Sequence, residues 1–119
     1  MTNKKKVYNL TKLIEFVGDD QAAIKNMTSI FLTSSSELLE QMDAFEKQGD
    51  PASLAKAAHK LKPSLSIFGL DHLIDTVKTL EANAKENKGG AYIRPFLNEL
   101  HEGMNVAFKQ IRKDFPDLQ

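Results

Sequence analysis

Apolar residues recur at helical spacing along almost the whole sequence, and this pattern is the strongest constraint on how the chain folds. Four long segments each carry one apolar stripe at intervals of three and four residues, the spacing of one face of an α-helix. No segment shows the strict alternation of a half-buried strand. Helices with one apolar face each can bury those faces only by packing on one another.

The pattern divides into one short and four long helices. Their stripes are Leu10, Leu13, Ile14 and Val17 in the first; Ile24, Met27, Phe31, Leu38, Met42 and Phe45 in the second; Leu54, Ala57, Ala58, Leu61, Leu65 and Phe68 in the third; Leu73, Ile74, Val77, Leu80 and Ala84 in the fourth; and Ile93, Leu97, Leu100, Met104, Phe108 and Ile111 in the fifth.

Glycine, aspartate and proline mark the ends of these helices. Glycine ends a helix, aspartate caps the next one, and proline is tolerated at a first helical position because its missing N–H costs nothing there. The predicted boundaries are Gly18, then Asp19 or Asp20, then the run Gly49, Asp50 and Pro51, then about Gly69, and finally the Lys-Gly-Gly run at 88–90. The fold class is therefore all-α: an antiparallel four-helix bundle with a short additional N-terminal helix, in one domain over residues 1–119.

Composition excludes several classes of function. The 119 residues include 16 basic and 16 acidic ones, so the formal net charge is zero. The chain as a whole therefore does not attract nucleic acid or an anionic membrane electrostatically. The absence of cysteine excludes disulfides, thiol catalysis and thiolate metal sites. Apolar runs are too short for a membrane span or a signal-peptide core. These features predict a cytoplasmic protein that binds neither nucleic acid nor membrane, and we expect a monomer. Met1 and the length fit a free-standing protein, and a domain cut from a larger sensor kinase is the alternative.

His59 is the candidate functional residue because of its position and its neighbours. It lies about 140° from the centre of the third helix's apolar stripe, so it faces solvent. The residues expected on the same side are small or cationic and leave the ring accessible: Ala55, Lys62, Pro63 and Ser66. Pro63 also lacks the N–H that would bond to the His59 carbonyl.

An exposed imidazole between lysines suits phosphoryl transfer. The neutral ring is a nucleophile, and adjacent positive charges favour the neutral form. Phosphoryl transfer requires mainly positioning and charge stabilisation of the phosphoryl oxygens, which Lys62 can supply one turn from His59. His72 and His101 lack such surroundings and are interpreted as ordinary histidines. The serines at 34–36 are interpreted as a polar helix face.

The segment AHKLKPSLSIFGLDHLIDTVKTLE, residues 58–81, resembles the signature of the histidine-containing phosphotransfer (HPt) domain family. That signature has Ala-His-x-Leu-Lys, a small residue, glycine ten positions after the histidine, leucine soon after, and a closing Leu-Glu. The matching residues are Ala58, His59, Leu61, Lys62, Ser66, Gly69, Leu73, Leu80 and Glu81. Pro63 is a departure, because the family usually has glycine there. Both residues disrupt a helix and keep a long side chain away from the histidine.

The resemblance implies a phosphorelay intermediate. His59 would accept a phosphoryl group through Nε2 from a receiver-domain aspartate and pass it to another receiver, and Lys62 would steady the phosphoryl oxygens. The partners would be response-regulator receiver domains, including one carried by a hybrid histidine kinase. They would contact Lys60, Ala55, Pro63, Ser66 and Gly69. The chain would be a carrier, not an enzyme, with no metal or cofactor of its own, and Mg²⁺ would come with the receiver.

Two other classes of protein share the predicted fold. A metal-binding four-helix bundle needs paired Glu-x-x-His ligands, and the sequence contains no Glu-x-x-His. A non-catalytic scaffolding bundle accounts for the fold without using His59. An acid-labile phosphate on His59 would favour the relay over both.

Overall fold

Five helices and no strand make up residues 5–118, the part of the chain that the computed structural model describes. They are α1 (Thr11–Val17), α2 (Gln21–Gln48), α3 (Pro51–Ile67), α4 (Asp71–Lys85) and α5 (Gly90–Asp114). Short connections make each long helix antiparallel to the next. The predicted all-α bundle with a short N-terminal helix is confirmed.

The four long helices enclose one core. α3 packs against α2 and α4, and α5 packs against α4 and α2, while α1 lies against α2 and α3. Every residue predicted for the stripes of α3 and α5 is buried. Among the helices of residues 5–118, none is both long enough and apolar enough to cross a membrane.

Side-chain caps fix where α2 and α3 begin. The Asp20 carboxylate accepts hydrogen bonds from the N–H groups of Ala22 and Ala23, so Asp20, not Asp19, caps α2. Gly49 ends α2 with φ 68°, and Asp50 caps α3 by accepting from the N–H of Ser53. These contacts satisfy N–H groups that have no partner within the helix.

The buried face of α2 differs from its predicted stripe. Met27 is 38% exposed, and its neighbour Thr28 is buried instead. Thr28 satisfies its hydroxyl by donating to the Ile24 carbonyl at 2.7 Å. Ser35 is also buried. Because α2 packs against three helices, its buried face is broad and includes these small polar residues, which a search for apolar residues does not detect.

The Lys-Gly-Gly run at 88–90 does not end α4 as predicted. α4 already ends at Lys85, and Asn87 turns the chain with φ 60°. Gly89 is the N-cap of α5 and Gly90 is its first residue. The two glycines therefore begin a helix, because the left-handed residue that stops α4 is an asparagine, a residue type that tolerates this conformation.

Gly69 is required at the end of α3 for two reasons. Its φ of 68° lies in the left-handed region, and the N-terminal segment passes directly over it. The Asn9 N–H donates to the Phe68 carbonyl at 3.0 Å. A Cβ on Gly69 would lie 2.3 Å from Asn9 Nδ2 and 2.9 Å from the Asn9 backbone nitrogen. The glycine thus permits the contact between the N-terminal segment and α3.

Replacing Gly69 by alanine is expected to destabilise the fold more than replacing Gly49. Both glycines have φ 68°, but a Cβ on Gly49 meets nothing within 4 Å. Gly49→Ala should cost only the left-handed penalty of roughly 1–2 kcal/mol. Gly69→Ala should cost about 1–3 kcal/mol more, because the methyl group overlaps Asn9. Urea unfolding measures both, and equal losses would contradict the close approach.

Candidate functional site

His59 stands on the outer face of α3, next to α4. Its side chain is 68% exposed, as its position on the helical wheel predicts, and its Nδ1 lies 3.0 Å from Glu81 Oε2. An ionised carboxylate can only accept, so Nδ1 donates the proton of this hydrogen bond. In the neutral ring, Nε2 then carries the free lone pair.

Glu81 is the centre of the site. Its side chain is only 6% exposed, and besides His59 it binds Lys62 Nζ at 2.7 Å and Lys85 Nζ at 3.1 Å. Burial by itself raises the pKa of Glu81, but the hydrogen bonds from Lys62, Lys85 and His59 outweigh burial and lower that pKa to about 2. Glu81 is therefore a fixed negative charge that holds the imidazole and two ammonium groups.

Glu81 belongs to the residues that carry the family resemblance, but its role in holding His59 was not predicted from the sequence. A signal was present, because Glu81 follows Val77 by four residues and precedes Ala84 by three, which places a carboxylate within the apolar face of α4. A charge on such a face needs partners from the neighbouring helix. On α3 these are His59 and Lys62.

The other predicted site residues lie along α3 with different exposures. Lys60 and Pro63 are exposed, and Ser66 and Gly69 are half-buried. Ala55 was expected on the solvent side, and this placement is wrong: it is 4% exposed. The error has a physical cause. α4 packs along α3 and covers residues that a helical wheel of α3 alone predicts to be exposed.

Lys12 is a further cation that sequence analysis did not connect with the site. It lies on α1, and its Nζ donates to Ser66 Oγ at 3.0 Å. Ser66 is seven residues after His59, two turns along the same side of α3. The short N-terminal helix thus reaches the face of α3 that carries the histidine.

The remaining histidines fit the interpretation as ordinary residues. His72 is exposed on α4. His101 on α5 lies 3.0 Å from a carboxylate oxygen of Asp43 on α2, where Arg94 also contacts Asp43. This cluster joins α2 to α5. In residues 5–118, no group of three or more histidine, aspartate and glutamate side chains is arranged to hold a metal ion.

The Glu81 contacts should make stability depend on pH in a defined window. A carboxyl whose pKa falls on folding stabilises the native state above its unfolded pKa, near 4.5, and this contribution is lost as the pH falls towards about 2. The difference in unfolding free energy between the native protein and Glu81→Gln should therefore be present in full at about pH 5 and shrink towards about pH 3.

Urea unfolding across this pH range provides the measurement, with the exposed Glu37→Gln as the matched control. A difference between Glu81→Gln and the native protein that does not change between about pH 5 and about pH 3 would show that the carboxylate contacts do not contribute in this way.

Comparison with known families agrees with the geometry. The family model described as the Hpt domain matches residues 26–110, which is more than half of the chain and contains His59, Lys62 and Glu81. No curated protein and no solved structure gives a significant match. Hpt domains carry phosphoryl groups in phosphorelays of two-component signalling and interact there with receiver domains. This chain belongs to the Hpt domain family.

Proposed function

We propose that this protein is a phosphorelay intermediate that accepts a phosphoryl group on His59 from the aspartate of one receiver domain and passes it to another. The observation that carries the proposal is the hydrogen bond between His59 Nδ1 and the buried Glu81 at 3.0 Å, on a ring whose side chain is 68% exposed. Because Nδ1 donates the proton of that bond, Nε2 is left with the free lone pair.

The transfer exchanges one bond to phosphorus for another. The Nε2 lone pair attacks the phosphorus of the aspartyl phosphate, the N–P bond forms, the P–O bond to the aspartate breaks, and the aspartate leaves as a carboxylate. The ring keeps its proton on Nδ1 and gains positive charge, which the Glu81 carboxylate stabilises. In the second transfer an acceptor carboxylate attacks the same phosphorus, and the neutral imidazole leaves.

Lys62 is the residue proposed to stabilise the phosphoryl oxygens. Its ammonium group contacts Glu81 Oε1 at 2.7 Å, while His59 contacts Glu81 Oε2. One carboxylate therefore holds the nucleophile and the cation on its two oxygens. Lys62 is 26% exposed, so its charge is less screened by water than that of a fully exposed lysine.

The proposed transfer also involves Mg²⁺ and contacts with the receiver domain. Both Glu81 oxygens are already bound to nitrogens of His59, Lys62 and Lys85. They are therefore not free to coordinate Mg²⁺, which prefers oxygen ligands, and we expect Mg²⁺ to come with the receiver domain. Lys60, Pro63, Ser66 and Gly69 are retained as predicted partner contacts, whereas the buried Ala55 is not. The protein is proposed to act as a cytoplasmic monomer and a carrier, without catalytic turnover of its own.

His59→Gln should retain the fold and lose phosphate acceptance, because the side chain is exposed and only the nucleophilic nitrogen is removed. The test is incubation with a labelled phospho-receiver, with circular dichroism to check folding. The exposed His72→Gln is the matched control and should accept label normally.

The chemistry of the label distinguishes the relay from a scaffolding bundle. Label on the native protein should be labile to acid and stable to base, as a phosphoramidate bond is. Label that persists in His59→Gln, or that resists acid, would exclude His59 as the acceptor.

Lys62→Ala should slow transfer more than Lys60→Ala. Removing one charge-assisted contact in the transition state should cost roughly 1.5–3 kcal/mol, or about one to two orders of magnitude in rate. Lys60 is about 100° around the helix and has less effect.

Lys85→Ala is the second control for this comparison, because Lys85 also binds Glu81. Single-turnover transfer from a labelled receiver gives the rates. If Lys85→Ala slows transfer as much as Lys62→Ala, then Lys62 acts only by supporting Glu81. If Lys60→Ala slows transfer as much as Lys62→Ala, then the assignment of faces on α3 is wrong.

A further inference from the structure

Glu81 holds two lysines, although one would neutralise its charge. Lys62 Nζ on α3 contacts Oε1 at 2.7 Å, and Lys85 Nζ on α4 contacts Oε2 at 3.1 Å. Oε2 also accepts the hydrogen bond from His59 Nδ1 at 3.0 Å. Glu81, Lys62 and Lys85 together therefore carry one negative and two positive charges, so one ammonium group is in excess of what the carboxylate needs.

The two lysines reach the carboxylate from different helices. Lys85 follows Glu81 by four residues on α4, so its contact lies within one helix and does not depend on α3. Lys62 reaches Glu81 from α3 and lies one turn from His59 on that helix. Lys62 can therefore exchange its contact with Glu81 for one near the imidazole, while Lys85 remains fixed beside the carboxylate.

The role proposed for Lys62 places two demands on one ammonium group. At rest this group compensates the charge of Glu81, whose side chain is 6% exposed. During transfer it must turn towards the phosphoryl oxygens. A buried carboxylate that loses its cation is costly, because water does not replace the lost partner. Lys62 is therefore free to turn only if another cation stays on Glu81.

We propose that Lys85 is a positioning residue that keeps a positive charge on Glu81 while Lys62 leaves Oε1 for the phosphoryl oxygens. The proposal rests on the function proposed above. Lys85 acts through Glu81 and contacts neither the phosphoryl group nor the receiver. Because Lys85 binds Oε2, its contact persists when Lys62 leaves Oε1, and the carboxylate keeps its hold on His59 Nδ1.

The order of events explains why the imidazole does not make Lys85 unnecessary. The ring gains its positive charge only as the N–P bond forms, whereas Lys62 must turn towards the incoming phosphoryl group while the ring is still neutral. Lys85 supplies the missing charge during that interval. When an acceptor carboxylate removes the phosphoryl group, the ring becomes neutral again and Lys62 returns to Oε1.

The first test compares three substitutions on α4 with the small donor phosphoramidate, which phosphorylates the ring without a protein partner and releases ammonia. Lys85→Ala should slow phosphorylation of His59 about two- to fivefold, the effect of one partly exposed ion pair. Lys85→Arg keeps a cation there and should restore the native rate. Lys78→Ala removes an exposed lysine of the same helix, which is not among the groups that contact Glu81 in residues 5–118, and should leave the rate unchanged. Equal rates for Lys85→Ala and Lys78→Ala would overturn the proposal.

The pH distinguishes this role from an effect on the protonation of the ring. Removing a positive charge beside Glu81 also favours the cationic imidazole, which is not a nucleophile. At about pH 9 an ordinary imidazole is neutral and a lysine is still charged. The loss in Lys85→Ala, relative to the native protein at the same pH, should persist from about pH 7 to about pH 9. Its disappearance towards the higher pH would overturn the proposal.

The second test determines whether Lys85 acts through Lys62. At about pH 9, where an ordinary imidazole is neutral, Lys85→Ala is combined with Lys62→Ala in a double-mutant cycle. Without Lys62 no ammonium group leaves Glu81 for the phosphoryl oxygens, so adding Lys85→Ala should not slow phosphorylation further.

A further loss as large as that in the native background would show that Lys85 contacts the phosphoryl group itself or only supports the fold, and would overturn the proposal. A native protein that takes no label on His59 from either phosphoramidate or a phospho-receiver would instead overturn the proposed function.

Discussion

The Glu81 carboxylate is the interaction on which the rest of the site depends. A buried negative charge is costly unless it has partners, and here those partners are the imidazole of His59 and the ammonium groups of Lys62 and Lys85. His59 and Lys62 belong to α3, whereas Glu81 and Lys85 belong to α4. The contact that orients the nucleophile is therefore also a contact between two helices, and their packing fixes the ring.

The bundle supplies what this contact requires. The apolar stripe of α3 is buried, which turns His59 outward, and close packing of α3 on α4 brings the Glu81 carboxylate within hydrogen-bond distance of His59 Nδ1. The end of α3 is held in turn by Gly69, over which Asn9 passes, and this places the N-terminal segment and α1 beside the same face. The reactive residue is exposed, but each element that positions it is tied to the core.

Features that belong to one helix could be predicted from the sequence, and features that arise between helices could not. The exposure of His59 follows from the period of α3 alone. The burial of Ala55 and the role of Glu81 depend on how α4 lies against α3. The same limit explains α2, where contacts with three neighbours bury Thr28 and leave Met27 exposed. A pattern of apolar residues identifies the buried face of a single helix. It does not show which neighbouring helix covers a small or charged side chain.

Pro63 illustrates how local and tertiary constraints combine at such a site. α3 continues through Pro63 to Ile67, so packing of the stripe overrides the disfavour of proline within a helix. The His59 carbonyl loses its usual N–H donor, but Pro63 is exposed, and water can replace that donor there at little cost. The proline therefore keeps a long side chain away from the imidazole without breaking the helix that carries it. A glycine at that position would do the same, and proline adds a fixed φ and so less freedom in the unfolded chain.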